Sequence, residues 1–242
     1  MCYHISIPEW TAIDALLDNA IRNDEWNEYY EHLSAFQFAK VPVLTLENPD
    51  KLQAFQWGLI PRWCRDEKES KEIAAMTLNA KSETVFEKPS FKNSMMQKRC
   101  LVFVDGFYEW RDYKKKKYPY FIRLKHQKVF ALGGLYESWV NQSTGEIIHS
   151  CSIVTTEANA LMKQIHNTKM RMPLIFPKDK MREWIFPGMT KGQIVEMMQP
   201  LPEGLLEADT ISRLVTSRTE DSNVPEVKNH FSYEELPELE GE

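Results

Sequence analysis

Residues 100–110, CLVFVDGFYEW, decide the fold. Five apolar residues, four of them branched or aromatic, precede Asp105-Gly106, and Phe107, Tyr108 and Trp110 follow. Side chains of that kind favour the half-buried surface of a pleated sheet, and Asp-Gly is a turn signal. The stretch reads as two strands, or as one strand bent at Asp105-Gly106. Working outward, YPYFIRLK (118–125) and VFALGGLYESWV (129–140) form a further pair of strands about His126-Gln127. IIHSCSIVTT (147–156) is another strand. Upstream, VPVLTL (41–46) ends at ENPD, and LQAFQWGLIPRW (52–63) is a strand that leaves through Gly58 and Pro61. Apolar positions at helical spacing from Trp10 to Leu33, including Ile21, Trp26 and Tyr30, predict one or two helices. TEANALMKQIH (156–166) predicts another, with Thr156 as its N-cap and Glu157 in its first turn. PKDKMREWIF (177–186) and KGQIVEMMQ (191–199) predict two short ones. Hairpins with interspersed helices and no βαβ rhythm give an α+β class. The expectation is a single domain over residues 1–229, with a curved, mainly antiparallel, barrel-like sheet flanked by short helices. Residues 230–242 form an acidic tail expected to be disordered.

The chain of 242 residues is 43% hydrophobic and 27% charged, ordinary for a globular protein. No run of about 18 apolar residues predicts a membrane helix. The first twenty residues carry Glu9, Asp14 and Asp18 and lack the apolar core of a secretory signal, so a cytoplasmic location is the default. Four scattered cysteines form no C-x-x-C pair and no zinc spacing, so free thiols, no metal and no cofactor are expected. The net charge of −5 is unevenly placed. Residues 203–242 hold eleven acids against Arg213, Arg218 and Lys228, a net −8 that leaves +3 on the rest. Within that remainder, residues 111–128 hold eight Lys/Arg and one Asp, interleaved with Tyr113, Tyr118, Tyr120 and Phe121. Cations for phosphates and rings for bases are what a single-strand groove needs. A solvated hairpin tip at Lys114–Lys117 is the more usual account of such a run.

Cys2 stands apart by position. Cys is small enough for an initiator Met to be removed before it, and Cys2 is then expected to carry both a free α-amine and a thiol. Such a 1,2-aminothiol condenses with an aldehyde to an imine, and its sulfur closes a five-membered thiazolidine. Three more segments put reactive groups in apolar or strand-like settings: LNAKSET (78–84), DGFYEW (105–110) and TTEANALMKQIHNTKMRMP (155–173). Singly, each has a bland reading: Asn79 as a turn former, Glu109 as an exposed strand residue, His166 as a helix-end cap.

Together and in this order, with W-G-L-I-P at 57–61 between the first two, the four segments resemble the SOS response-associated peptidase (SRAP) family over about residues 1–218. The resemblance implies shielding of abasic sites in single-stranded DNA. It also implies loss of Met1, in part by self-cleavage (an autopeptidase activity, with lyase as a side activity), and cross-linking of Cys2 to the ring-opened sugar. By motif, the catalytic set is Cys2, Asn79, Glu109 and His166. The candidate DNA contacts are His4, Trp57, Lys81, Arg111 and Arg171. Abasic single-stranded DNA is the implied partner, of a chain expected to be monomeric. An α-amino group with a pKa near about 8 is partly neutral at pH 7 and able to attack an aldehyde. A carboxyl and an imidazole suit the proton transfers that open the sugar and expel water. Three features depart from the family pattern: Tyr3-His4 in place of Gly-Arg, Lys81 in place of Arg, and a longer HNTKMRMP loop before Arg171. Two other readings compete: an N-terminal-nucleophile amidotransferase using Cys2, and a single-strand-binding module in which Cys2 is incidental.

Overall fold

Residues 100–110 fold into two strands that belong to two different sheets. The computed structural model describes residues 2–17 and 28–240. In chain order the strands are β1 (His4–Ile7), β2 (Tyr30–Ser34), β3 (Lys40–Thr45), β4 (Gln53–Trp57), β5 (Asn79–Lys81), β6 (Arg99–Val104) and β7 (Gly106–Tyr113). They continue with β8 (Lys116–Leu124), β9 (Phe130–Val140), β10 (Ile147–Glu157), β11 (Arg171–Pro173), β12 (Ile175–Phe176) and β13 (Leu206–Thr210). The helices are α1 (Trp10–Leu17), α2 (Glu67–Met76), α3 (Lys92–Gln97), α4 (Ala160–Ile165), α5 (Lys178–Trp184) and α6 (Lys191–Met197). The larger sheet closes on itself: β10 pairs with β4, β4 with β3, β3 with β6, β6 with β9, and β9 with β10. Among the described residues, only the β10–β4 and β10–β5 pairings are parallel. Closure removes the open edges that would otherwise template association. A second sheet runs β13-β8-β7-β1-β2, all antiparallel. Ile5 and Ile7 of β1 and the apolar residues of β6 and β9 share one buried cluster, so this sheet packs on the barrel through a common core.

The crossing between the sheets is Asp105-Gly106. Asp105 N donates to Ser6 O of β1 (3.2 Å), and its Oδ2 accepts from Lys228 Nζ (2.9 Å). Gly106 lies under the Phe121 ring, where a β-carbon would stand 2.2 Å from Phe121 Cζ. The absence of that carbon lets β7 pair with β8 immediately after leaving the barrel. A fully buried arginine fixes the helices to the other side. Arg99 donates to Met95 O and Met96 O at the end of α3, and to Trp184 O and Phe186 O at the end of α5 (2.7–3.2 Å). One guanidinium thus satisfies the terminal carbonyls of two helices, where positive charge is also favoured by the helix dipole.

The barrel-like sheet and the α+β class match the sequence expectation. Four local readings change. Helix α1 is described over Trp10–Leu17, and Tyr30 and Leu33 lie on strand β2, because β1 has an edge there that β2 hydrogen-bonds; Ile21 and Trp26 lie outside the described residues. Thr156 and Glu157 continue β10, since β11 pairs with them, and Asn159 caps α4 by accepting from Met162 N (3.0 Å). Strands β8 and β9 do not pair. Residues 125–129 carry the chain from one sheet to the other, with His126 in the left-handed region. Helices α2 and α3 went unread from the sequence. The acidic segment from 230 onward lies against the body as far as residue 240. Glu235 meets Lys116 and Tyr118, Arg111 donates to Pro237 O, and Gln164 and Glu240 exchange two bonds.

Gly106→Ala should cost about 1–3 kcal/mol, the usual range for overpacking a filled site. Chemical denaturation monitored by tryptophan fluorescence checks this; an unchanged midpoint would show that Phe121 yields freely.

Candidate active site and nucleic-acid cleft

The strand ends nearest the β1–β7 seam gather the reactive residues. Cys2 precedes β1, and Asn79 opens β5, which runs parallel to β10 with Asn79 opposite Ile153. Glu109 sits on β7 and His166 ends α4. Cys2 is fully buried. Asn79 Nδ2 donates to Cys2 O (2.8 Å), joining positions 77 residues apart. The Cys2 thiol lies 3.8 Å from His4 O. Asn79 Oδ1 is buried with no hydrogen-bond partner among the described residues. An unmatched buried acceptor costs about 1–3 kcal/mol and is the kind of defect that a bound donor removes.

Glu109 and His166 are both buried, and His166 Nδ1 lies 3.5 Å from Glu109 Oε1. Burial pushes the Glu109 carboxyl up to about 8, so at pH 7 it is largely protonated. Burial lowers His166 to about 4, so its ring is neutral. The pair is therefore two neutral groups and not a salt bridge. His166 Nδ1 donates to Arg171 O (2.8 Å), which leaves the lone pair on Nε2. One group holds a proton it can give, and the other can accept one. Burial pushes the Cys2 thiol up, and Glu109 adds to this wherever it ionises, so the sulfur is kept as the thiol.

Glu109 and His166 line a cavity of about 790 Å³; Cys2 and Asn79 are buried and do not line it, whereas Tyr3 and Lys81 do. Its rim carries Lys81, Lys117, Lys169 and Arg171, against Asp112. The three lysines are exposed. Arg171 is half-buried: it pairs with Glu83 and donates to Thr155 O (2.6 Å), so its fork is already engaged. Of the sequence-based DNA contacts, His4, Lys81 and Arg171 face this cavity. Trp57 is buried in the core, where its Nε1 donates to Leu78 O (2.9 Å) and braces the residue before Asn79. Arg111 points at Pro237 and is not on the cavity wall. Lys117, Lys169 and Tyr3 line the cavity although the sequence reading names none of them as a DNA contact. Lys117 was legible in part, within the basic run. Its register opposite Asp112 across the β7–β8 hairpin is what turns it inward.

A chain with this barrel, this buried carboxyl–imidazole pair and a cysteine at position 2 belongs to the SOS response associated peptidase (SRAP) family, whose sequence pattern matches residues 1–218. It is 39% identical over 185 residues to the abasic site processing protein YoqW of Bacillus subtilis, covering 74% of this chain and 79% of that one. It is 33% identical over 170 residues to the abasic site processing protein HMCES of Xenopus tropicalis, covering 62% of this chain and 50% of that longer one. Among solved structures, a protein from Bacteroides thetaiotaomicron superposes with a TM-score of 0.87 at 34% identity, over 96% of this chain and all of that one.

The raised carboxyl has a measurable signature. An unfolded Glu ionises near 4.5, whereas Glu109 holds its proton to about 8, so folding is penalised progressively as the pH rises from about 4.5 to about 8. Glu109→Gln removes that penalty. The variant should gain stability relative to the parent between pH 5 and 8 in urea unfolding, and an identical pH profile for the two proteins would contradict a buried, protonated Glu109.

Proposed function

We propose that this protein captures abasic sites in single-stranded DNA by forming a thiazolidine between Cys2 and the ring-opened sugar. The observation that carries the reading is the convergence of residues 2, 79, 109 and 166 beside a cation-rimmed cavity. The names of the B. subtilis and Xenopus relatives support abasic sites as the substrate.

In this reading Met1 is removed first, with Glu109 assisting the proton transfers, and the Cys2 nitrogen becomes a primary amine. Asn79, bonded to Cys2 O, holds the residue in place once its upstream peptide is gone. His166 Nε2 takes the anomeric hydroxyl proton of the closed sugar and returns it to the ring oxygen as that C–O bond breaks, which opens the sugar to the aldehyde. The amine adds to that aldehyde, giving a carbinolamine. Protonated Glu109 gives its proton to the departing hydroxyl and takes back the N–H proton, and water leaves as the imine forms. The thiol then adds across the C=N bond, with its proton passing to nitrogen. One water is lost overall and no redox partner is needed. Keeping the sulfur as a thiol until the imine exists favours amine attack first. Lys81, Lys117 and Lys169 hold the flanking phosphates. They act as point charges where a guanidinium would grip with two parallel bonds. Covalent capture relieves the need for a large basic footprint.

The test is intact mass spectrometry after mixing with uracil-containing single-stranded DNA treated with uracil glycosylase. The native protein should lack Met1 and form a one-to-one adduct stable to denaturation, and Cys2→Ala should form none. Glu109→Ala should retain Met1 in part and slow ring closure. His166→Ala should process Met1 normally but slow capture. Each rate loss should fall within about 10²–10⁴-fold, the usual worth of general acid–base assistance. A stable adduct formed equally well by Cys2→Ala would refute the mechanism. Lys81→Glu should slow capture at low salt while Lys81→Arg is tolerated, read from initial cross-linking rates at two salt concentrations.

A further inference from the structure

His4 occupies the cavity wall, and its Nδ1 lies 2.8 Å from His32 Nε2. His32 continues the chain: its Nδ1 lies 2.7 Å from Ser222 Oγ. The two rings stack with centroids 5.0 Å apart and planes 14° from parallel. Trp110 closes on His4 (4.8 Å) and Tyr108 on His32 (5.1 Å), both edge-on. The backbone is held as well, since Asn223 Oδ1 accepts from Glu31 N (2.8 Å) and His32 N (3.3 Å). The arrangement is thus a built one, and it runs from the cavity through His4 and His32 to Ser222. It lies apart from the Glu109–His166 pair, although both reach the same cavity.

The geometry limits how many protons the chain can hold. A gap of 2.8 Å between two ring nitrogens accommodates one hydrogen. In one neutral form His4 Nδ1–H donates to His32 Nε2, and His32 Nδ1–H donates to Ser222, leaving the lone pair on His4 Nε2. His4 Nε2 makes no hydrogen bond among the described residues. Adding a proton there breaks neither bond of the chain and turns Nε2 into a donor at the cavity. Adding a second would place two hydrogens in the 2.8 Å gap. Burial holds both rings below the usual imidazole range, with the charge of His32 adding to the effect at His4, so the unliganded pair is neutral.

We propose that the His4–His32–Ser222 chain is a phosphate-binding element that takes up one proton, and no more than one, when a DNA phosphate enters the cavity beside His4. An arriving phosphodiester supplies the negative charge that the neutral pair lacks, and the Trp110 ring lies within reach of the resulting imidazolium. The proposal rests on the cavity being the nucleic-acid path described above. Other charged groups face the pair from every side. On β2, Glu31 is paired with Lys228, which also holds Asp105. Tyr108, Glu109 and Asp112 come from β7, and Lys117 from β8. Lys81 comes from β5, and His166, Lys169 and Arg171 from the segment after α4. Among these, His166 is the other imidazole, and the experiment separates it.

Binding of an intact oligonucleotide without an abasic site is measured by calorimetry at pH 7 in two buffers of different ionisation enthalpy, with inorganic phosphate as a second probe. The native protein should take up between zero and one proton per oligonucleotide bound. Its Kd should tighten with falling pH by up to about tenfold per pH unit, the limit for one linked proton. His4→Gln should abolish this dependence, and His166→Gln should keep it. No proton uptake by the native protein, uptake of more than one, or loss of the dependence in His166→Gln with retention in His4→Gln would each overturn the proposal. The native measurement decides the matter even where His4→Gln fails to fold. Inorganic phosphate should compete and carry the same proton linkage; oligonucleotide binding with no competition by phosphate would place recognition on the bases and overturn it. Proton uptake without any adduct on abasic DNA would sink the capture mechanism alone, and an adduct without proton uptake would sink this inference alone.

Discussion

The passage of the chain beneath Phe121 at Gly106 is the constraint on which the site depends. Barrel strand β6 ends at Val104, and three residues beyond Gly106 the chain reaches Glu109. Only a residue without a β-carbon fits below the Phe121 ring there. That close approach sets the register of β7 against β8, with Glu109 opposite Tyr120 and Asp112 opposite Lys117. Register in a sheet decides which face every side chain takes, because a slip of one residue turns them all over. A shift at Gly106 would therefore carry the buried carboxyl out of the cavity and turn the cavity-lining lysine away from it.

The same packing explains the electrostatics. Glu109 and His166 are close because α4 lies against β7, and they are neutral because both are buried. A carboxyl that stays protonated near neutrality and an imidazole that stays unprotonated form the divided acid–base pair that proton-transfer chemistry uses. The cost is borne as local instability, with an unmatched acceptor at Asn79 and a carboxyl that resists ionisation. The barrel offsets it through interlocked devices such as Arg99, whose guanidinium binds the ends of two helices at once.

The sheet class was legible in the sequence because branched and aromatic runs broken by Asp-Gly, Gly and Pro speak locally. Which strands pair was not. Strands β8 and β9 are neighbours in sequence yet lie in different sheets, a choice made by edges that residues 99–140 cannot reveal on their own. The four candidate residues were legible as ordered motifs, but the neutral, buried state of the carboxyl and imidazole depends on the whole core. Trp57 shows the limit: its motif marks the site, while its place is in the core beneath Leu78. His32 carried no motif at all, and its importance appears only when β2 sets it beside His4.

The bond from Asn79 to Cys2 O also has a consequence in time. It joins residue 2 to residue 79, and β5 is itself held by parallel pairing to β10, around residue 153, with His166 further on. None of these contacts is local, and long-range parallel pairings are late and slow to form. During synthesis, therefore, the first residues leave the ribosome long before their chemical partners exist. Cys2 is thereby kept without the buried carboxyl, the neutral imidazole and the anchoring amide until the rest of the domain has been made. The site is assembled only as the domain closes.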